Sequence, residues 1–251
     1  MKTEMEWEPS IPSEIIAENQ VCVWRLHLSE DNFNRLELYD LLVPEEQEKA
    51  SRFHFEKDKM RYILTRGVLR KLLSFYLNQN PTTVSFEYNS SGKPILATDK
   101  LQEDLRFNLS HSGDFALIAF SHGRNIGIDL EQINSEFDYE IVAKNFFSPE
   151  EIESIEKTKK SKQHRLFFQY WTRKEAILKG LGKGLSNSMK ELDVSKQNDQ
   201  DWSPIQMIHE SNHQEIWYGK DLSPVRGYAA AIAVEGGNCN LVCQEYSAGI
   251  K

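Results

Sequence analysis

The strictest alternation of apolar and polar residues in the chain runs through residues 125–131. This period predicts a half-buried β-strand with Gly127, Asp129 and Glu131 on the face away from the core. Residues two apart on a strand have Cα atoms about 6.5 Å apart, so the two carboxylates could hold one cation. Gly127 would leave room for a bulky ligand. Taken alone, an ordinary one-sided sheet explains this pattern better.

A second pattern, at helical spacing, lies in residues 171–179. It places Trp171, Glu175 and Lys179 on one face of a helix, with Lys174 beside them. A solvent-exposed Glu–Lys pair would explain this in isolation. However, apolar residues flank the motif on most of the helix circumference, which predicts a largely buried helix whose charges need partners. These flanking residues are Leu166, Phe167, Phe168, Tyr170, Ile177, Leu178 and Leu181.

The order of predicted elements repeats along the chain. A shift of the numbering that brings strand 126–131 onto strand 21–26 also brings Pro149 onto Pro44, and each proline opens a helical stretch. A chance coincidence of two helix starts would give the same match. We infer an α+β fold, a pseudo-dimer of two similar halves, each a small, mostly antiparallel sheet packed on helices. The predicted halves are residues 1–125 and 126–251, and the cleft between them is the expected ligand site.

The remaining elements are short. The segment Ser110-His111-Ser112 is predicted to form a loop after a strand at 105–109. Helices are expected at 137–147 and 149–157. Other strands are predicted near 84–88, 95–96, 192–194, 205–208, 215–218 and 228–234, with a last strand near 240–245 at a sheet edge.

Composition narrows the class of protein. The 251 residues are 39% apolar and 27% charged, which is typical of a globular domain, and neither end has an apolar run long enough for a membrane span or a signal peptide. Three cysteines without paired zinc spacing suit reduced thiols in the cytoplasm. A net charge of −8 argues against nucleic acid as a partner. The basic segment 157–165 is, by default, a solvated linker.

Five short motifs follow one another over about residues 44 to 185. They are the basic stretch from Arg52-Phe53 through Asp58 and Arg61, Gly92-Lys93-Pro94, Phe107-Asn108-Leu109-Ser110-His111-Ser112, Gly127-Ile128-Asp129-Leu130-Glu131, and Trp171-Thr172-Arg173-Lys174-Glu175-Ala176-Ile177-Leu178-Lys179. In their order and spacing, the motifs resemble one family, the 4′-phosphopantetheinyl transferase superfamily, and specifically its long, Sfp-like type. The long members of this family are pseudo-dimers of two α+β halves.

The resemblance implies transfer of the phosphopantetheine arm of coenzyme A to a serine of an apo carrier protein, with release of 3′,5′-ADP. It assigns Asp129, Glu131 and Glu175 to Mg²⁺, with Mn²⁺ as an alternative ion, and oxygen ligands suit such a hard cation. Glu175 is either a metal ligand or the base for the attacking serine, directly or through water. Lys179, with Lys174 in support, is expected to stabilise charge on the leaving phosphate.

The resemblance also implies a coenzyme A site in the first half. Glu46 is a departure, because many family members have a lysine at this position. The implied contacts fall into two groups: Lys49, Arg61 and His111 at the 3′-phosphate, and Lys93, Pro94 and Ser110 near the adenine or the other phosphates.

The residues leave two other functions open. A metal-dependent phosphohydrolase or nucleotidyl transferase would use the same carboxylates without a protein acceptor, and a non-catalytic acidic binding module would carry them as surface charges. For a transferase, the expected partners are carrier proteins of fatty-acid, polyketide or nonribosomal-peptide synthesis, with no nucleic acid and no membrane. Because carriers are acidic around the serine, segment 157–165 could attract them. The long form predicts a monomer.

Overall fold

The structure is a computed structural model that describes residues 5–12, 15–97, 104–183, 187–197, 201–205, 216–237 and 239–247. These residues form an α+β fold, as predicted. The helices are α1 (Arg35–Asp40), α2 (Pro44–Ser51), α3 (Glu56–Leu77), α4 (Glu140–Phe146), α5 (Pro149–Lys157) and α6 (Lys160–Gly180). The strands are β1 (Glu8–Ser10), β2 (Gln20–His27), β3 (Phe86–Tyr88), β4 (Pro94–Leu96), β5 (Leu105–Ser112), β6 (Phe115–His122), β7 (Ile126–Gln132), β8 (Ser203–Ile205), β9 (Trp217–Leu222), β10 (Tyr228–Glu235) and β11 (Asn240–Tyr246).

The strand pairings repeat between the halves. In the first sheet the order is β1-β11-β2-β6-β5, and in the second it is β7-β10-β9-β8. The antiparallel series β2-β6-β5 therefore matches β7-β10-β9. The helix starts match as well, because Pro44 and Pro149 each occupy the first helical turn. Glu46 and Glu151 each accept a hydrogen bond from the backbone N–H three residues earlier, and at α5 the Ser148 side chain completes a capping box. The internal repeat predicted from the sequence thus has a counterpart in the topology.

The two sheets pack face to face between two layers of helices. One apolar cluster lies between α3 and the first sheet, with Trp24 and Phe120 fully buried. A second lies between α6 and the second sheet. The third joins the facing sheets, and Ile128 and Ile232 are completely buried in it. Because side chains alternate along a strand, β2 contributes Trp24 to the cluster under α3 and Val23 to the cluster between the sheets.

The C-terminal strand differs from its prediction. β11 does not lie at a sheet edge: it is inserted between β1 and β2 and runs parallel to both. The chain after residue 239 therefore completes the sheet of the first half. The division into residues 1–125 and 126–251 stays a prediction, and β11 crosses it.

Two further local predictions were wrong. Residues 110–112 are not a loop, because they continue β5 and pair with residues 115–117 of β6. The region predicted as a strand near 192–194 instead follows a 3-10 helix, Asn187–Glu191. Part of the predicted strand 205–208 falls outside the described residues. In the part of the chain that the structure describes, no helix is long and apolar enough to cross a membrane.

Candidate active site

Strand β7 and helix α6 approach each other so closely that only glycine fits at Gly127. A Cβ at this position would lie 1.9 Å from the carbonyl oxygen of Ala176 and 2.3 Å from the amide nitrogen of Gly180. The glycine therefore makes room for the helix backbone. The prediction that it leaves room for a ligand was wrong. The face of β7 that was expected to point away from the core is covered, and Asp129 is only 3% exposed.

Polar side chains of β5, in the first half, form hydrogen bonds to the carboxylates of β7, in the second half. Ser110 Oγ donates to Asp129 Oδ1 at 2.9 Å, and two residues further on Ser112 Oγ donates to Glu131 Oε2 at 2.9 Å. Asn108 Oδ1 accepts a hydrogen bond from the backbone N–H that precedes Asp129, at 2.8 Å. Side chains two residues apart on a strand lie on the same face, so Ser110 and Ser112 on β5 match the spacing of Asp129 and Glu131 on β7. The first half therefore fixes the positions of both carboxylates.

Helix α6 brings a cation and a third carboxylate to the same place. Lys179 Nζ lies 2.7 Å from Asp129 Oδ1 and 3.0 Å from Ser110 Oγ. Asp129, Glu131 and Glu175 line one cavity of about 380 Å³ together with Trp171. The carboxylates of the strand and of the buried helix therefore line one cavity, as predicted.

The electrostatics of this cavity favour a cation. Burial, and then the neighbouring charge of Asp129, raise the pKa of Glu131 to about 7. The same two causes raise the pKa of Glu175 to about 7, against the opposing effect of Lys179. Among the described residues, Asp129 Oδ2 and Glu175 Oε1 are buried oxygens without a hydrogen-bond partner. A buried acceptor without a partner is costly, so each needs a donor or a cation.

The donor set fits a magnesium ion. Mg²⁺ prefers oxygen ligands and takes one or two protein carboxylates, together with phosphate oxygens and water. Asp129, Glu131 and Glu175 offer such oxygens. Within the described ranges, no three acidic, histidine or cysteine side chains already stand close enough together to hold a metal ion.

A second cavity, of about 390 Å³, opens beside the first and is lined by cationic groups. His111, Glu175 and Lys179 belong to both cavities. The other cationic groups along its wall are Lys49, Arg66, Lys93 and Lys183. Lys49, Lys93, Pro94 and His111 were predicted from the sequence to contact coenzyme A, and all four line this cavity. Burial, followed by repulsion from Lys179 and Arg61, lowers the pKa of His111.

Two predicted coenzyme contacts have other partners. Ser110 uses its hydroxyl within the carboxylate cavity, between Asp129 and Lys179. Arg61 does not line the cationic cavity, and its guanidinium forms ion pairs at 3.3 Å with Asp58 and with Asp114.

Arg66 was missed by the sequence analysis and lies in the wall of the cationic cavity. Its Nε pairs with Glu46 Oε1 at 2.5 Å, and its guanidinium lies 3.8 Å from the ring centroid of Phe86. Burial disfavours the Glu46 charge, but Arg70 and Arg66 outweigh this effect and hold the pKa of Glu46 below its usual value. The unusual Glu46 is therefore a buried partner of two arginines. The available signal was the position of Arg66 one helical turn after Tyr62, on the same face of α3.

Lys174 does not belong to the site, which corrects its prediction as a catalytic group. Its ammonium is fully buried on another side of α6, paired with Glu151 Oε2 at 2.8 Å. It also donates to the carbonyl oxygens of Met189, at 2.6 Å, and Leu192, at 2.5 Å. One residue along a helix is a rotation of about 100°, so Lys174 cannot share the face of its neighbour Glu175.

The fold and the site together define an enzyme built from two α+β halves, with an acidic cavity and a cationic cavity side by side at their junction. A family model for the 4′-phosphopantetheinyl transferase superfamily matches residues 125–233, and one for the N-terminal part of 4′-phosphopantetheinyl transferases matches residues 29–123.

Individual relatives agree with these matches. The chain is 35% identical to the 4′-phosphopantetheinyl transferase HetI of Nostoc sp., over 82% of this chain and 90% of that protein. It is 33% identical to the transferase Sfp of Bacillus subtilis, over 63% of this chain and 68% of the other. It is 29% identical to the L-aminoadipate-semialdehyde dehydrogenase-phosphopantetheinyl transferase of Mus musculus, over 77% of this chain and 67% of that protein. The chain belongs to the 4′-phosphopantetheinyl transferase superfamily, which confirms the resemblance and the predicted enzyme class.

Proposed function

We propose that this enzyme transfers the 4′-phosphopantetheine arm of coenzyme A to a serine of an apo acyl or peptidyl carrier protein, in a Mg²⁺-dependent reaction that releases 3′,5′-ADP. The observation that carries this proposal is the pair of adjoining cavities, one acidic and one cationic, that share His111, Glu175 and Lys179. The family membership supports the transferred group and the class of acceptor. The cationic cavity suits the anionic nucleotide end of coenzyme A.

In this proposal Asp129 and Glu131 hold the metal ion, which would offset the charge of the diphosphate when bound. The serine oxygen forms a bond to the phosphorus of the pantetheine arm, and the bond from that phosphorus to the leaving 3′,5′-ADP oxygen breaks. Glu175 accepts the hydroxyl proton, directly or through a water. Its pKa of about 7 supports this role near neutral pH. Lys179 stabilises the negative charge that builds up on the leaving phosphate, and its position beside Asp129 supports this role.

Incubation of the protein with coenzyme A, Mg²⁺ and a panel of apo carriers tests the proposal. The carriers should come from fatty-acid, polyketide and nonribosomal-peptide synthesis, and mass spectrometry should show a gain of one phosphopantetheine group on the carrier serine. Replacement of that serine by alanine should remove the gain. Cleavage of coenzyme A without labelling of any carrier would instead favour a phosphohydrolase.

We further propose that the basic segment 157–165 attracts the acidic carrier. The segment spans the junction of α5 and α6, and Lys159, Lys160, Lys162 and Arg165 are exposed in it. Reversal of Lys159 and Lys160 to glutamate should raise KM for the carrier about tenfold at low salt and leave KM for coenzyme A unchanged. Added salt should reduce the difference between variant and wild type. An equal change in both KM values would contradict this role.

We also propose that the enzyme acts as a monomer in the cytoplasm. Both cavities are lined by residues of one chain, which supports the monomer. Cys22, Cys239 and Cys243 are free thiols, which supports a reducing compartment. Sedimentation of the purified enzyme at assay concentration would test the monomer.

A further inference from the structure

The turn between β3 and β4 belongs to the first half but contacts the end of α6 in the second half. We propose that this turn, residues 89–93, is a positioning clamp. Lys93 and Asn89 hold the last turn of α6 so that Glu175 and Lys179 face Asp129. The proposal gives Lys93 a positioning role in place of the predicted contact with coenzyme A. Its kinetic test rests on the proposed transfer, whereas its exchange test does not.

One ammonium group ties together the two elements that carry the carboxylates. Lys93 Nζ donates to the carbonyl oxygen of Lys179 at 2.6 Å and to that of Ile126 at 3.1 Å. Lys179 lies in the last turn of α6, and Ile126 is the first residue of β7. The carbonyl groups at a helix C-terminus lack partners within the helix and carry partial negative charge, so the half-buried ammonium of Lys93 stabilises them.

The second tie comes from Asn89, which also shapes the turn. Its Nδ2 donates to the carbonyl oxygen of Gly182 at 3.1 Å, just beyond the end of α6. Its Oδ1 accepts the backbone N–H groups of Ser91, at 3.0 Å, and of Lys93, at 2.9 Å. One side chain therefore fixes both the turn and its attachment to the helix.

The backbone conformation at the attachment point favours a glycine. Gly182 has φ +69°, a left-handed conformation, and a Cβ there would lie 2.9 Å from Asn89 Nδ2. The helix end is closed by hydrogen bonds from Gly182 N to the Lys179 carbonyl and from Lys183 N to the Leu178 carbonyl. This arrangement is that of a Schellman-type C-terminus, and the clamp binds it from outside.

The position of this turn matters for the chemistry. Lys179 contributes its backbone carbonyl to the clamp and its ammonium to Asp129 at 2.7 Å. Glu175 lies one turn earlier on the same face. A displacement of about 1 Å at reacting groups can lower a rate about a hundredfold. Loss of the clamp should therefore act on the catalytic step more than on binding of coenzyme A.

Two variants separate a clamp from a ligand contact. Lys93→Met removes the ammonium. Asn89→Asp keeps the Oδ1 acceptor of the turn but replaces the donor to Gly182 by a carboxylate oxygen. We expect each to lower kcat about 10- to 100-fold, with less than about a threefold change in KM for coenzyme A. The double variant should lose less than the product of the single effects, because both ties hold one unit. Ser90→Ala, on the same turn, is the matched control and should leave both parameters unchanged.

Amide hydrogen exchange provides a readout that needs no substrate. In Lys93→Met and Asn89→Asp, the amides of Gly182 and Lys183 should exchange at least several-fold faster than in the wild type, with amides in the first half of α6 unchanged. Unchanged exchange in both variants would overturn the clamp. So would a rise in KM for coenzyme A with normal kcat in Lys93→Met, because it would make Lys93 a ligand contact. A wild-type enzyme without transfer activity would refute the proposed function and leave the exchange test to decide this inference.

Discussion

Asp129→Asn is expected to lower the rate of phosphopantetheine transfer about a thousandfold or more, and Asp129→Ala to abolish it. Asp129 Oδ1 already binds Ser110 and Lys179, while Oδ2 is buried and without a partner among the described residues. A bound metal ion contributes several kcal/mol to stabilisation of a transition state, which corresponds to about three orders of magnitude in rate. The asparagine keeps the shape of the side chain and removes its charge. Single-turnover transfer to an apo carrier measures the effect.

Asp114→Asn is the matched control for this variant. Asp114 is an exposed carboxylate that pairs with Lys57 at 3.2 Å and with Arg61 at 3.3 Å, and exposed pairs contribute little to stability. Its replacement should leave the transfer rate within about twofold of the wild type. If Asp129→Asn retained more than a tenth of the wild-type rate, the metal role of Asp129 would have to be abandoned.

The same substitution should change how stability depends on pH. The pKa values of Glu131 and Glu175 rise from the usual 4.5 to about 7 in the folded protein, partly through the charge of Asp129. Between these values the folded state binds more protons at these two groups than the unfolded state, so their contribution to the stability of the metal-free wild type falls as pH increases from about 4.5 to about 7. In Asp129→Asn, both pKa values should lie lower and the decrease should be smaller. Urea unfolding at several pH values measures this difference.

The alternation in β7 and the helical period in α6 predicted which side chains share a face, and the family resemblance added that Asp129, Glu131, Glu175 and Lys179 belong together; all four line one cavity. Both patterns report directly which side chains share a face. They do not report which element covers that face. Gly127 was therefore assigned to a ligand, although the carbonyl of Ala176 occupies the space.

Contacts between distant segments were the least predictable part of the structure. The packing of β5 against β7 places Ser112 beside Glu131. A loop was predicted there, because Ser110, His111 and Ser112 are all polar and show no alternation of apolar and polar residues. β11 returns to the sheet of the first half, and local pattern carries no information about the sheet that a strand joins. Such long-range pairings depend on the packing of whole layers.

Lys174 shows the same limit for a single side chain. The apolar residues around it correctly predicted burial and the need for a charged partner. The partner is Glu151 on α5, which the spacing along α6 could not identify. Burial lowers the pKa of Lys174 and raises that of Glu151, so each charge is costly without the other. The pair therefore holds α5 and the segment around residue 192 against α6, on the side of the helix away from the cavity.

Lys174→Met should therefore destabilise the protein by about 3–5 kcal/mol, because it leaves the Glu151 carboxylate buried without its cation. Glu151 keeps its hydrogen bonds from the backbone of Ser148, at 2.8 Å, and of Val194, at 3.0 Å, which do not neutralise its charge. The measurement is urea unfolding at constant pH, with transfer assayed at a temperature where the variant is folded. The rate per folded molecule should stay within about threefold of the wild type.

The double variant Lys174→Met with Glu151→Gln separates the two origins of this loss. With the buried charge removed, it should be more stable than Lys174→Met alone, since replacing both members of a buried ion pair costs less than removing one. A purely steric effect of methionine would give no such recovery. A different result would contradict the structural role of Lys174. If Lys174→Met were as stable as the wild type but lost transfer as completely as Asp129→Asn, Lys174 would have to act on the reacting phosphate.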